Sequence, residues 1–495
     1  MPDTFVLGID QSTQGTKGLL FDQKGSLVAR CDLLHKQIIN QKGWIEHDPV
    51  EIYQNVLAVV KAVVEKAGID KASLATIGIS NQRETVMAWQ KSNGKPIYNA
   101  IVWQCARAEK ICQRIFAEGY GEKIKAVTGL PLSPYFSAAK ISWLLENIVG
   151  ARQRAEADEL CFGTMDSWLV YCLTGGVAFK TDYSNASRTQ LFNIKDLTWD
   201  IDVCRIFGIP RRALPEVCDS NALYGTTTFD GWLNVPIPIH AVLGDSQAAL
   251  FAQNCNSPGM VKATYGTGSS VMMNLGEHIF SSKVGLVTSI AWCFSGQVSY
   301  ALEGNINYTG AVITWLKDDL KLLVSAEESQ EIAENSNNDD RSYFVPAFSG
   351  LGAPYWNSEA TGLFTGITRV TGRAEMVRAA LDSIAYQITD IIQLMQKEST
   401  IEIKELCVDG GPTKNTYLMQ FQADILKIPV QVATTLELSG MGSAIVAGLA
   451  MKIYTQPDIF HERKRLKYDG QMQVGRSEAL YDGWTKAVNR TLFQA

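Results

Sequence analysis

Short apolar runs separated by polar turns open the chain. Phe5-Val-Leu-Gly-Ile9 is apolar, Asp10-Gln-Ser-Thr-Gln-Gly-Thr-Lys17 is rich in turn formers, and Gly18-Leu-Leu-Phe21 is apolar again. Runs of this length bounded by turn residues predict strand, turn, strand. A second turn, Asp22-Gln-Lys-Gly25, leads to Leu27-Val-Ala29. The chain therefore opens as an antiparallel meander, not as the strand-to-helix crossover that sets a phosphate on a helix N-terminus. Ile52, Val56, Val59, Val60 and Val63 recur at helical spacing and predict a helix over Pro49 to Lys66; a strand follows at Leu74 to Ser80 and another helix at Ser137 to Val149.

The opening pattern returns in the second half as Val261-Lys-Ala-Thr-Tyr-Gly-Thr-Gly-Ser-Ser-Val-Met-Met-Asn274, and a further glycine turn, Gly410-Gly-Pro-Thr-Lys-Asn415, follows the apolar Leu406-Cys-Val-Asp409. Two hairpins of one kind half a chain apart imply a duplicated unit. The boundary is placed near residue 253, giving domains 1–253 and 254–495.

Of the 495 residues, 46% are hydrophobic and 19% charged, with no long Pro, Gly, Ser or Gln tract, which suits a folded chain of about two domains. The net charge of −6 and the lack of a basic stripe argue against a nucleic-acid partner. The strongest charge run, His461-Glu-Arg-Lys-Arg-Leu-Lys467, is read as a solvated face. Ten cysteines lie between Cys31 and Cys407 without a Cys-x-x-Cys pair, so they are expected to be small buried hydrophobes, not zinc ligands or disulfides. Without a leader-like start or 18 consecutive apolar residues, the expectation is a cytoplasmic protein with no membrane partner.

A hairpin turn bearing Gly and Thr can aim backbone N–H groups and hydroxyls at a phosphate. Asp10, Thr13, Gln14, Gly15, Thr16 and Lys17 supply one such turn, Gly266, Thr267, Gly268 and Ser269 a second, and Gly410-Gly411 a third. An ordinary surface hairpin would use the same residues. No Gly-x-x-x-x-Gly-Lys-Ser/Thr is present, and Gly266-Thr-Gly-Ser-Ser-Val271 lacks the third glycine of a dinucleotide fingerprint. Asp245, in Ala241-Val-Leu-Gly-Asp-Ser-Gln-Ala-Ala249, stands between an apolar strand and an Ala-rich helix start, as a general base or as a helix cap. Arg83 and Glu84, in Asn81-Gln-Arg-Glu-Thr85, follow a strand end; donor beside acceptor suits a polyol, and an exposed ion pair is the plainer alternative. Trp103 and Tyr135 offer apolar faces to a ligand's carbons or to the core.

Several longer stretches carry a resemblance. Gly43-Trp-Ile-Glu-His-Asp-Pro49, Asn81-Gln-Arg-Glu-Thr85, Gly94-Lys-Pro-Ile-Tyr-Asn-Ala-Ile-Val-Trp-Gln-Cys105, Thr181-Asp-Tyr-Ser-Asn-Ala-Ser-Arg188, Tyr265-Gly-Thr-Gly268 and Phe348-Ser-Gly-Leu-Gly-Ala-Pro-Tyr-Trp356 resemble the FGGY family of carbohydrate kinases, glycerol kinases most of all. The resemblance covers nearly the whole chain. It implies an α/β fold of two actin-like, ribonuclease-H-like domains, each a mixed sheet flanked by helices, with ATP and Mg²⁺ in the cleft and a small polyol or sugar as acceptor. By the same resemblance Asp245 is the general base, and Asp10 with Asp245 holds Mg²⁺. Thr13, Gln14, Gly15, Lys17, Gly266, Thr267, Gly310, Thr314, Gly411 and Asn415 line the nucleotide; Arg83, Glu84, Trp103, Tyr135, Ser246 and Ser270 face the acceptor. A homodimer or homotetramer is compatible with it.

Departures shape the acceptor expected. Glycerol kinases tend to have Gln where this chain has Ser246, Phe where it has Ser270 and often Gln where it has Thr314. Two bulky groups replaced by serines predict a wider pocket whose hydroxyls bond further substrate oxygens, hence a four- or five-carbon polyol or ketose, with glycerol itself as the alternative. An actin-like or Hsp70-like ATPase without an acceptor is the reading of a different class.

Overall fold

A computed structural model describes residues 4–435, 437–461 and 464–493. The opening meander forms as β1 (Phe5–Gln11), β2 (Gly15–Phe21) and β3 (Leu27–Leu34), joined to β4 (Leu74–Asn81) and β5 (Ile237–Gly244). The order is β5-β4-β1-β2-β3, with Gly225–Thr227 at the β5 edge. β1 pairs antiparallel with β2 and parallel with β4, and β4 pairs parallel with β5. The first turn is shorter than the residue types imply: strand pairing continues to Gln11 and resumes at Gly15, which puts Lys17 on β2 directly opposite Asp10.

A second sheet repeats the plan with β6 (Val261–Tyr265), β7 (Ser269–Gly276), β8 (Gln297–Ile306), β9 (Leu406–Gly410) and β10 (Val430–Ala433). Their order, β8-β7-β6-β9-β10, matches the first sheet strand for strand, antiparallel through β6 and parallel beyond it. Two mixed sheets of one topology flanked by helices are the actin-like fold.

The helix α1 (Pro49–Ala67) begins directly after the Asp48 cap, whose carboxylate accepts from the Val50 N–H, and stops at Gly68 in the left-handed region. It buries its valine stripe under the first sheet. The other helices that frame the cleft are α2 (Ser137–Asn147), α3 (Asp245–Ala252), α4 (Gly310–Asp318), α5 (Arg373–Ser399), α6 (Thr416–Leu426) and α7 (Leu438–Ala450). Although α7 follows β10 of the second sheet in sequence, it packs on β1 and β4 of the first sheet and crosses α3. The crossing is close because Gly442 carries no side chain: a Cβ there would lie 2.0 Å from the Ala248 carbonyl oxygen.

The charge run near the C-terminus is not wholly a solvated face. Glu462 and Arg463 lie outside the described residues, but Arg465 to Lys467 belong to an edge strand, Arg465–Tyr468, of the second sheet. Arg465 turns inward, donating to the Cys407 Sγ and the Gln253 carbonyl. Seven of the ten cysteines are buried and Cys31, Cys172 and Cys218 are half-buried; all are free thiols. Among the described residues no helix is long and apolar enough to cross a membrane.

Candidate active site

The cleft between the sheets is floored by β1, β4 and β5, whose C-terminal ends carry the charged groups. Asp10, one residue before the end of β1, accepts from the Ser80 hydroxyl at 2.8 Å and faces Lys17 Nζ at 3.5 Å. It caps no turn. Burial pushes its pKa up, Lys17 and Ser80 draw it back, and Asp245 and Glu437 push it up further. Lys17 also pairs with Glu437, at 2.5 Å, just before α7. The carboxylate of Asp245, the first residue of α3 after the Gly244 cap, is 35% exposed to the cleft.

Beyond β4 the chain kinks sharply. Glu84 adopts φ 60°, a left-handed conformation that is costly for a non-glycine residue. Its carbonyl accepts from Ser137 Oγ at 2.9 Å, and the neighbouring Thr85 hydroxyl donates to Gln82 at 2.9 Å. The kink turns Arg83 and Glu84 inward, so they are a buried pair, not an exposed one.

Each of the two finds its main partner elsewhere. Arg83 makes a fork to Glu303 on β8, Nη2 to Oε1 at 2.8 Å and Nη1 to Oε2 at 2.9 Å. Its Nε lies 3.3 Å from Asp245 and 4.0 Å from Glu84. Glu84 accepts from Arg188 Nε at 2.6 Å. Arg188 Nη1 is 3.0 Å from Glu303 without hydrogen-bond alignment. Burial works against the charge of Glu303, but Arg188 and Arg83 prevail and hold its carboxyl well below the usual range. Lys262, buried on β6, adds another cation beneath Asp245, Asp409 and Glu303.

Trp103 and Tyr135 form a half-buried aromatic wall, ring centroids 5.3 Å apart. Trp103 Nε1 donates to Thr13 Oγ1 at 2.9 Å, which ties the wall to the first turn. Tyr135 is held by a lysine that sequence reasoning passed over. Lys140, fully buried on α2, donates to the carbonyls of Pro134, Tyr135 and Phe136 at 2.6, 2.5 and 3.3 Å. Ser270 donates its hydroxyl proton to Glu303 at 3.1 Å. Ser246 follows Asp245, its N–H donating to Asp245 Oδ1 at 2.6 Å.

Two adjoining hollows share Gly411 and Lys414. One, of about 520 Å³, is lined by Asp10, Lys17, Asp409, Gly410 and Glu437. The other, of about 380 Å³, is lined by Gly310, Thr314, Ser329 and Asn415 with an apolar wall of Ile313, Leu381, Ile384 and Leu418. A charged end opening into an apolar one has the polarity of a nucleotide. Asn415 caps α6, accepting from Leu418 N at 3.0 Å, and its amide donates to Ser329. Gly266 and Thr267 dock on the start of α4: the Gly266 carbonyl accepts from Gly310 N at 2.9 Å, and the Thr267 carbonyl from Ala311 N at 3.0 Å. Gln14 is exposed at the tip of the first turn, and Gly15 begins β2. Neither is among the residues lining these hollows.

Sequence models of the FGGY family of carbohydrate kinases match this chain along both halves, the N-terminal domain over residues 5–252 and the C-terminal domain over 261–451. The chain belongs to the FGGY family. It is an ATP-dependent sugar or polyol kinase, which sets aside the acceptor-free ATPase reading. "Glycerol kinase 2" of Thermotoga maritima is 47% identical over 490 residues, 99% of each chain. The glycerol kinase of Caldanaerobacter subterraneus is 46% identical over 490 residues, 99% of this chain and 98% of that one. The crystal structure of Plasmodium falciparum glycerol kinase with ADP superposes with a TM-score of 0.94 at 36% identity, covering 99% of this chain and 98% of the other.

These likenesses overturn the expectation of a four- or five-carbon acceptor. Full-length relatives at this identity are glycerol kinases, which favours the alternative. The volume argument weighed two side chains alone and left out the buried charges behind them.

Proposed function

We propose that this kinase transfers the γ-phosphate of ATP to a hydroxyl of glycerol. The observation that carries the reading is the compactness of the acceptor clamp: one guanidinium, Arg83, sits 3.3 Å from Asp245 and 4.0 Å from Glu84. A short triol with adjacent hydroxyls can reach a base, a donor and an acceptor packed that tightly, and the full-length likeness to glycerol kinases supports the same acceptor.

Asp245 takes the proton of the attacking hydroxyl as the oxygen approaches phosphorus, while Trp103 and Tyr135 cover the acceptor's carbons and fix its orientation. The apolar wall that includes Ile313 and Leu418 would take the base of ATP, and Gly411, Lys17 and Asp10 would face its phosphates. Asp10 is already raised by burial and by the charges of Asp245 and Glu437, against which Lys17 and Ser80 work, so a divalent cation beside Asp10 and Asp245 would stabilise both carboxylates. Mg²⁺ held by Asp10 and Asp245 with phosphate oxygens would spread the charge on the transferring group. Closing the two halves excludes the water that would otherwise accept the phosphate.

The test is ADP release by the purified protein with glycerol and with C4 to C6 polyols and ketoses. Glycerol should give the highest kcat/KM; a longer acceptor ahead of it would refute the assignment.

A further inference from the structure

We infer that Glu303 is a positioning residue: it holds Arg83 so that only the Nε edge of the guanidinium is turned to Asp245 and the acceptor. The inference rests on the kinase reading above, with Asp245 as base. Glu303 sits on β8 in the second half of the chain, fully buried, and Arg83 on the first. Both Nη atoms of Arg83 go to Glu303, at 2.8 and 2.9 Å. The Glu303 carboxylate is fixed in turn by Ser270 at 3.1 Å and by Arg188 at 3.0 Å.

A guanidinium forks readily onto a planar carboxylate. With Glu303 in place, the Nη fork is occupied and Asp245 meets a single N–H, at 3.3 Å. Without it, the nearest carboxylate left to Arg83 is Asp245, and a fork between them would occupy the base and withdraw the donor from the acceptor. The acid thus acts on the reaction through Arg83, and the contact joins the two halves of the molecule at the acceptor site. Nothing in it touches the hollow lined by Gly310, Thr314 and Asn415.

The experiment compares Glu303→Gln with the parent in steady-state kinetics, using whichever acceptor the parent turns over best, so a wrong choice of glycerol leaves the test intact. The expected result is an acceptor KM raised and a kcat lowered by about tenfold or more each, with the KM for ATP unchanged within about twofold. In an Arg83→Lys background the same change should cost less than about twofold further, because a residue acting through Arg83 has nothing left to position. If Glu303→Gln does not fold, Glu303→Asp keeps the charge at shorter reach and should show a milder defect confined to the acceptor. Unchanged acceptor kinetics in a folded variant, equal shifts for ATP and acceptor, or full additivity with Arg83→Lys would each overturn the inference.

Discussion

Gly310→Ala tests how the second glycine turn is seated. A Cβ at Gly310 would lie 2.6 Å from the Gly266 carbonyl oxygen, about 0.8 Å short of the 3.4 Å at which ordinary contact begins. The oxygen cannot simply retreat. It accepts from Gly310 N at 2.9 Å and from Thr309 Oγ1 at 2.9 Å, and both bonds stretch as the turn lifts off α4. Each is worth about 0.5–1.5 kcal/mol net. Alanine returns about 0.5–1 kcal/mol through its helical preference. The balance centres on a loss of about 1.2 kcal/mol at the nucleotide side of the cleft, and since about 1.4 kcal/mol is a factor of ten, ATP binding should weaken by about eightfold. The assay is a coupled ADP-release titration of ATP at saturating acceptor, paired with thermal unfolding to show that the fold survives. The acceptor KM should stay within about twofold. A folded Gly310→Ala protein with an unchanged ATP KM would show that this turn does not hold the nucleotide.

Asp245→Asn should lower kcat by about 10²–10⁴-fold while an ATP analogue still binds, as isothermal titration can check; near-parental turnover would end its assignment as base. Asp382, buried on α5 and accepting from Tyr417, has its pKa pushed up to about 7 by burial. A carboxyl raised in the folded state costs stability as pH climbs from its unfolded value near 4 to about 7, and the cost is constant above that. Asp382→Asn should therefore raise Tm by more at pH 8 than at pH 5, an equal gain at both ruling the argument out. Small-angle scattering should record a smaller radius of gyration with ATP analogue and acceptor together than with neither; an unchanged radius counts against a closing cleft.

The parts legible in the sequence were those set by local pattern. Short apolar runs around turn residues marked β1 to β3 and their echo in β6 and β7, and the valine spacing marked α1. Asp245 stood out because an acidic residue at the junction of strand and helix is conspicuous. Glu303 and Arg188 were missed because their roles come from pairing at long range: Glu303 meets Arg83 across 220 positions. One signal was available, since a single carboxylate in the otherwise apolar stretch Tyr300-Ala-Leu-Glu-Gly304 must find a cation once buried. Lys262 on β6 and Lys140 on α2 posed the same question. The acceptor expectation failed because it rested on the size of the side chains at 246 and 270 alone, against a likeness to glycerol kinases that runs over the full length. The crossing of α7 onto the first sheet had no local signature beyond its small residues.

The most direct test of the central claim is a competition in one vessel. Glycerol, erythritol, xylitol and xylulose at equal concentration are incubated with the protein, ATP and Mg²⁺, and the phosphorylated products are resolved by phosphorus NMR at low conversion. The account predicts glycerol phosphate as the dominant product and no phosphate release when the acceptors are left out. A dominant C4 or C5 phosphate, or free phosphate formed at the same rate without acceptor, would contradict it.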